Sequence, residues 1–121
     1  MLHVQAANVH AFEFGGLLIT DLTAGTGAAG SLAIVDVPAG ASHARARSTR
    51  SEKLYFCLVG RTEFRVGTAD VTLSSGDLLV IQQGEWFSYR NTNSEAARML
   101  LVHVPPFDLA SEEFAAGGEP P

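Results

Sequence analysis

Apolar and polar positions alternate along most of the chain in short runs that are typical of β-strands. Gly, Pro, Asn and Ser separate the runs at intervals of roughly 8–12 residues, the spacing expected of an all-β sandwich or barrel. The pattern predicts about eight strands. They cover Leu17–Leu22, Leu32–Val37, Leu54–Val59, Thr62–Val66, Val71–Leu73, Leu78–Gln82, Trp86–Arg90 and Arg98–Val104.

The C-terminal part contains the one helical candidate. It covers Asp108–Ala115, where Ser111 is a suitable cap and two glutamates fall early in the turn. Residues 115–121 are expected to form a flexible tail. Many short strands with at most a short C-terminal helix favour a closed antiparallel barrel or jelly roll, because closure removes unpaired strand edges.

Length and composition fit one folded domain. The chain has 121 residues, of which 46% are apolar and 17% charged, and this excludes disorder through low hydrophobicity. The net charge of −5 argues against sequence-independent nucleic-acid binding, which needs a dense cationic face. Residues 1–10 lack Lys, Arg and a signal-peptide core, and no apolar run approaches the ~20 residues of a membrane span. We therefore expect a cytoplasmic protein.

Two glycine-bounded segments carry a family resemblance. The first runs from Gly40 to Gly60, and the second runs from Gly76 through Gly84 to Asn91. They resemble the two cupin motifs, which read G, five residues, H-x-H, three or four residues, E, six residues, G, and G, five residues, P-x-G, two residues, H, three residues, N. The resemblance covers about Leu32 to Phe114. It implies an all-β cupin (double-stranded β-helix, jelly-roll) barrel as a single domain over 1–121, with a core at about 17–114.

The residues at the family's metal-ligand positions depart from the pattern. Cupin metal sites use three histidines and one glutamate, and the register here puts Ala46 and Ser48 at H-x-H, Lys53 at the glutamate and Phe87 at the last histidine. Alanine, lysine and phenylalanine donate no electron pair to a divalent ion, so we expect a cupin without the usual metal ligands and without a cofactor.

Alternative registers do not restore the ligands. A three-residue spacer puts Arg47 and Thr49 at H-x-H, and Glu52 lies one step from the glutamate position, on the opposite strand face. A displaced metal site would have to draw on His43, His103, Glu52 and Glu63. His43 precedes a basic segment containing Arg45, Arg47 and Arg50, and a surface or turn position is expected for it.

Strand parity predicts what the barrel contains. An inward Lys53 brings Tyr55 and Cys57 inward, and an inward Phe87 brings Glu85 and Tyr89. On the last strand either Arg98, Leu100 and Val102 or Met99, Leu101 and His103 face inward. The result is a mostly apolar pocket with a few polar groups, as in small-molecule sites. The predicted ligand-binding residues are Arg47, Lys53, Tyr55, Glu63, Glu85, Phe87, Tyr89 and His103.

Each polar candidate has an alternative interpretation. An inward Lys53 either forms a salt bridge with Glu63 or Glu85, or binds an anionic group, or acts as a base or Schiff-base amine. His103 is either a hydrogen-bonded core residue or a general acid–base group. The single cysteine, Cys57, excludes an internal disulfide and is expected to be a small buried side chain.

Three functional hypotheses follow. The first is a metal-independent cupin that binds a small organic molecule in its barrel. The second is a metal-free isomerase, epimerase or cyclase of secondary metabolism or sugar chemistry, with His103, Lys53 and Tyr89 as catalytic candidates. The third is a metal-dependent, dioxygenase-like cupin with a displaced site. A homodimer is expected, because four phenylalanines near the chain ends would otherwise lie on the rim of the barrel. These are Phe12, Phe14, Phe107 and Phe114.

Overall fold

Two antiparallel β-sheets pack against each other around one core. The computed structural model describes residues 1–115. Its strands are β1 (Phe12–Phe14), β2 (Leu17–Asp21), β3 (Ser31–Val37), β4 (Ser42–Ser48), β5 (Glu52–Val59), β6 (Arg61–Val66), β7 (Ala69–Ser74), β8 (Leu78–Ile81), β9 (Phe87–Arg90), β10 (Ala97–Val104) and β11 (Glu112–Phe114). The six-stranded sheet has the order β1-β2-β3-β10-β5-β8, and the five-stranded sheet has the order β11-β4-β9-β6-β7. This jelly-roll arrangement confirms the predicted fold class.

All eight predicted strands are present, and three further strands join them. β4 covers the basic segment, where the sequence pattern predicted no strand. The helix predicted at Asp108–Ala115 is wrong: Asp108 caps a single 3₁₀ turn at Leu109–Ser111, and β11 follows. β11 pairs with the edge of β4, so the cross-strand hydrogen bonds override the local helical preference. The predicted tail at 115–121 lies, apart from Ala115, outside the described residues.

The central strand β10 decides which residues line the barrel. It pairs with β3 on one side and β5 on the other. Met99 and His103 are buried, whereas Arg98 pairs with Asp36 on the outside, with Nε 2.7 Å from the carboxylate. Of the two sets left open by the sequence, the one containing Leu101 and His103 therefore faces inward.

Gly60 occupies the turn between β5 and β6 with φ at +77°, a conformation that L side chains rarely adopt. A Cβ at this position would lie 3.0 Å from the carbonyl oxygen of Ala96. The glycine that ends the first motif is thus required both by the backbone conformation and by the close approach of the strand that begins at Ala97.

A β-bulge in β4 changes which of its residues face the barrel. His43 pairs with Tyr89, and Ala46 pairs with Phe87, so three steps along β4 match two along β9. The extra residue puts both His43 and Ala46 on the face shared with Tyr89 and Phe87. The expectation that His43 occupies a surface or turn position is therefore wrong, because simple alternation from Ala46 fails at the bulge.

Candidate functional site

A cavity of about 280 Å³ lies between the two sheets. Its walls combine aliphatic and aromatic side chains with a small number of polar groups, the usual character of a small-molecule site. It is lined by Phe12, Phe14, Ile19, Asp21, Ser31, Ala33, Val35, His43, Lys53, Tyr89, Leu101, His103, Phe107, Leu109, Glu112 and Phe114. A wider groove of about 990 Å³, more polar than the cavity, adjoins it and shares four of these residues: Phe14, His43, Tyr89 and Phe114.

The imidazole of His43 lines both the cavity and the groove. Its Nδ1 lies 2.6 Å from the carbonyl oxygen of Ala44. Because a carbonyl oxygen only accepts, Nδ1 carries the hydrogen and Nε2 keeps its lone pair. Burial lowers the pKa of His43 to about 4, the hydrogen bond to Ala44 opposes this shift, and the charge of Lys53 adds to it. The imidazole is therefore neutral at pH 7.

Aromatic rings hold the imidazole of His43 in place. The ring centroid of Phe87 lies 5.1 Å from that of His43, and the ring centroid of Tyr89 lies at 5.2 Å. Phe14 and Phe114 approach from the rim of the cavity at 6.0 Å and 6.5 Å. This packing fixes the direction of Nε2 and gives the cavity flat apolar walls.

Lys53, His103 and Glu112 form a buried polar cluster in the same cavity. The Lys53 ammonium donates a hydrogen bond to the Glu112 carboxylate, and its Nζ lies 3.0 Å from Nε2 of His103. The side chains of Lys53 and Glu112 are only 4% and 6% exposed. Burial lowers the pKa of Lys53, whereas the Glu112 carboxylate raises it. The ion pair therefore compensates for much of the cost of burying the ammonium.

His103 accepts from this ammonium and is also neutral. Burial lowers the pKa of His103 to about 3, and the charge of Lys53 adds to the effect. Its imidazole packs edge to face on Phe107 at 5.2 Å between ring centroids. Since Nε2 accepts, the ring hydrogen is on Nδ1. The ring therefore orients the ammonium as well as packing in the core.

Two buried tyrosines complete the interior. Tyr55 packs edge to face on Phe64 at 5.1 Å and lies 5.6 Å from Tyr89, measured between ring centroids. Burial raises the pKa of both phenols above the usual range, so both keep their protons at pH 7. Tyr89 reaches the cavity wall, whereas Tyr55 lies behind it in the core.

The structure brings together five of the eight predicted ligand-binding residues. Lys53, Tyr89 and His103 line the cavity, and Tyr55 and Phe87 support it from the core.

The other three predicted residues lie outside the cavity. Arg47 is on the outer face of β4, 3.2 Å from the Glu113 carboxylate and stacked on Trp86. Glu63 lines the outer groove and accepts a hydrogen bond from Thr72. The predicted inward orientation of Glu85 is wrong. Glu85 is exposed and accepts from the backbone of the turn before β9.

The sequence analysis missed the roles of His43 and Glu112. One of the interpretations left open for Lys53 was a salt bridge with Glu63 or Glu85, and the salt bridge is made instead with Glu112. Glu112 was assigned to a helix, and no local pattern shows that its segment crosses to β4. His43 gave one available signal, because it is a lone histidine within the first motif, but the bulge that turns it inward has no sequence signature here.

The residues present do not fit the metal site of the fold family. Ala46, Ser48, Lys53 and Phe87 are all buried, as the register predicts. Ser48 has the one uncharged oxygen among these four side chains that could bind a metal ion. Its Oγ instead accepts hydrogen bonds from the backbone N–H groups of Arg50 and Ser51. Within residues 1–115 no three His, Cys, Asp or Glu side chains are placed to hold a metal ion. The donor set of a cupin metal centre is therefore not available at these positions.

Comparison with known proteins establishes the family. The profile of the cupin domain family matches residues 33–103, more than half of the chain, so the chain belongs to the cupin family. No curated protein sequence matches it. Over the described residues no helix is long and apolar enough to cross a membrane.

Several solved cupin structures have the same fold. The nucleoside dehydratase Pac13 of Streptomyces has 18% identity and a TM-score of 0.82, covering 95% of this chain and 91% of that one. The polyketide cyclase RemF of Streptomyces resistomycificus has 20% identity and a TM-score of 0.74, covering 85% and 78%. A predicted oxalate decarboxylase of Thermotoga maritima has 18% identity and a TM-score of 0.77, covering 86% and 99%.

Proposed function

We propose that this cupin binds a small ring-containing organic molecule in its cavity without a metal ion, and that His43 exchanges a proton with the bound molecule. The observation that carries the proposal is an imidazole that lines the cavity, with Nδ1 held by the carbonyl oxygen of Ala44 and with Nε2 in no hydrogen bond to residues 1–115. A side chain fixed by packing, unprotonated at pH 7 and with a lone pair on Nε2 can accept a proton from a bound molecule.

Lys53 supplies the second group that such chemistry needs. It lies in the six-stranded sheet, whereas His43 lies in the five-stranded sheet, and both line the cavity. Removal of a proton by His43 leaves negative charge on the bound molecule, and a nearby ammonium stabilises that charge. General base catalysis contributes roughly 10²- to 10⁴-fold in rate. Dehydration, isomerisation and ring closure are the reactions that this pair of groups serves.

The structural neighbours indicate which ligands to test first. Three variants of Pac13 were solved with uridine, one with histidine replaced by glutamine and two with tyrosine replaced by phenylalanine. RemF is a polyketide cyclase. The flat walls around His43 suit a pyrimidine or a fused aromatic ring equally well. A dehydratase or cyclase of such molecules is therefore the preferred enzyme class, with an isomerase or epimerase next, and binding without turnover is the simpler alternative.

A binding experiment with two probes tests this proposal. Uridine and 2-naphthol would be titrated into the protein while the imidazole resonances of His43 are followed by NMR. We expect saturable shifts at His43 with at least one probe and no shift at the exposed His10. The His43→Gln variant lacks this resonance, so its binding is followed through the NMR signals of the probe itself. We expect it to retain the probe, as should the matched control His10→Gln. No saturable response to either probe would contradict the proposed ligand site.

Metal analysis tests the other half of the proposal. Protein purified without chelator should contain less than about a tenth of an equivalent of Mn, Fe, Ni, Cu or Zn, because the family's ligand positions carry no suitable donors. A metal content close to one equivalent per chain would instead support the hypothesis of a metal-dependent cupin with a displaced site. His43, Glu52 and His103 would then be the first residues to replace.

A second copy of the chain is the proposed partner. The outer face of β5 and β8 exposes apolar side chains in register, with Phe56 opposite Leu78 and the half-buried Leu54 opposite the exposed Val80. Contiguous apolar patches of this kind mark interaction sites. The phenylalanines that first suggested a dimer have a further role, because all four line the cavity. The cytoplasmic location and the absence of a nucleic-acid partner stay predictions of the sequence.

A further inference from the structure

The ion pair of Lys53 and Glu112 lies among the positions that hold the metal in the fold family. Lys53 itself occupies one of the four positions. Its Nζ lies 5.1 Å from the ring centroid of Phe87, which occupies a second position. In the pairing of β11 with β4, Glu112 is the cross-strand neighbour of Ser48, a third one. The fourth, Ala46, pairs with Phe114 in the same ladder. The positive charge in this region is therefore carried by an ammonium group.

We propose that the Lys53 ammonium is a built-in cation that takes the place of the family's metal ion, and that Glu112 is the residue that holds it there. In this role Lys53 stabilises negative charge that develops on a carbonyl, enol or phenol oxygen of the bound molecule. The inference rests on the proposed function, since it names the chemistry that Lys53 contributes when His43 removes a proton. It also names the ligand class, which is an oxygen-bearing molecule able to form an enolate or phenolate.

Within residues 1–115, the hydrogen bonds of Lys53 leave one N–H for the ligand. An ammonium group has three N–H bonds, and Lys53 directs one to Glu112 and one to Nε2 of His103. Lys53 also lines the cavity, so the third N–H is available to an oxygen of a bound molecule. Two fixed partners set the direction of that third bond, which is the preorganisation that electrostatic stabilisation requires.

The surroundings of Lys53 show why Glu112 is needed. The other titratable groups that line the cavity with Lys53 are His103 on β10, His43 on β4, the phenol of Tyr89 on β9 and Asp21 at the end of β2. The two histidines and the phenol carry no negative charge at pH 7, and the Asp21 carboxylate accepts from the backbone N–H and the hydroxyl of Thr23. Glu112 is therefore the one carboxylate within the described residues that forms an ion pair with Lys53. Without it, a buried ammonium would favour loss of its proton.

The chain offers a matched control for Glu112. Glu113 is the next residue of β11 and has the same side chain, but it points outward and pairs with Arg47 at 3.2 Å. Replacing Glu113 removes an exposed ion pair from the same strand without touching Lys53. Lys53 is also the only lysine in the sequence, so any lysine signal reports on it without assignment.

The decisive experiment is a pH titration of the single lysine. Protein labelled with ¹³C at lysine Cε gives one lysine resonance, whose midpoint is compared among wild type, Glu112→Gln, Glu112→Asp and Glu113→Gln. We expect Glu112→Gln to lower the midpoint by about one pH unit or more and Glu113→Gln to leave it unchanged. Glu112→Asp keeps the charge and should restore part of the shift. An unchanged midpoint in Glu112→Gln would overturn the role of Glu112, whether or not any ligand binds.

Binding of 4-nitrophenol tests the cation itself, because the absorption of this phenol reports its ionisation. Bound to the wild-type protein it should ionise at lower pH than in water, and Lys53→Met should abolish or reverse that shift. A shift that survives in Lys53→Met would overturn the role of Lys53. Failure of the wild-type protein to bind the phenol would count against the proposed ligand site, a result distinct from that of the lysine titration.

Discussion

His43 lies directly opposite Tyr89 in the pairing of β4 with β9, with 5.2 Å between their ring centroids. The bulge between His43 and Ala46 makes this possible, because the extra residue returns His43 to the inner face of the sheet. One irregularity in the ladder therefore moves a histidine from the outside of the barrel into its cavity. It also places the imidazole in the same cavity as the ion pair of Lys53 and Glu112.

The imidazole of His43 should respond to the charge of Lys53. Burial and that charge together lower the pKa of His43 to about 4. Lys53→Met removes a positive charge that disfavours the imidazolium, so the midpoint of His43 in an NMR titration should rise. A His43 midpoint that is unchanged in Lys53→Met would mean that the two groups are not electrostatically coupled.

Stability should fall as the pH is lowered below neutrality. The unfolded chain takes up a proton at each histidine near pH 6.5, whereas folded His43 and His103 resist protonation until about pH 4 and pH 3. Between these values the unfolded state binds more protons, so the free energy of unfolding decreases with decreasing pH.

Replacing one of these histidines isolates its contribution. His103→Gln should reduce the slope of the free energy of unfolding against pH by about 1.4 kcal/mol per pH unit between pH 6 and 4. Denaturant unfolding at several pH values measures the slope. The carboxylates are the same in both proteins, so the difference between the two slopes reports on His103. Equal slopes in wild type and variant would show that His103 titrates normally in the fold.

Two glycines of the family motifs should differ in their tolerance of alanine. Gly60 and Gly76 both have positive φ, at +77° and +90°, but only Gly60 has backbone atoms close to where a Cβ would lie. We expect Gly76→Ala to cost about 1–2 kcal/mol of unfolding free energy through the backbone conformation alone. Gly60→Ala should cost about 1–3 kcal/mol more because Ala96 and Ala97 must move. Chemical denaturation of both variants gives the difference, and similar losses would disprove the packing argument.

The proposed dimer can be tested at the outer face of β8. Leu78 is 56% exposed and lies beside Phe56 in the ladder. If this face joins two copies, wild type should sediment as a dimer at micromolar concentration and Leu78→Glu as a monomer. Ala69→Glu places the same charge at an exposed position of β7 in the other sheet and should leave the dimer intact. A monomeric wild-type protein would refute the prediction.

Much of the fold could be predicted because its signals are local. Alternation of apolar residues and turn-forming glycines located eight strands, and the spacing between Gly40 and Gly60 fixed the register of β5. That register correctly placed Lys53 inside the barrel. The same parity argument failed for Glu85, because the strand begins at Phe87 and Glu85 belongs to the preceding turn.

The candidate site was only partly predictable, since its members come together through tertiary contacts. The sequence by itself determined the cupin fold, the loss of the family's metal-binding side chains and the presence of one lysine in the interior, because each depends on residue identity and on strand period. Only the tertiary structure decided the partner of that lysine and the inward turn of His43. Glu112 reaches Lys53 through the pairing of β11 with β4, and His43 enters the cavity through a bulge. Neither contact leaves a local pattern, because each depends on how distant strands pair.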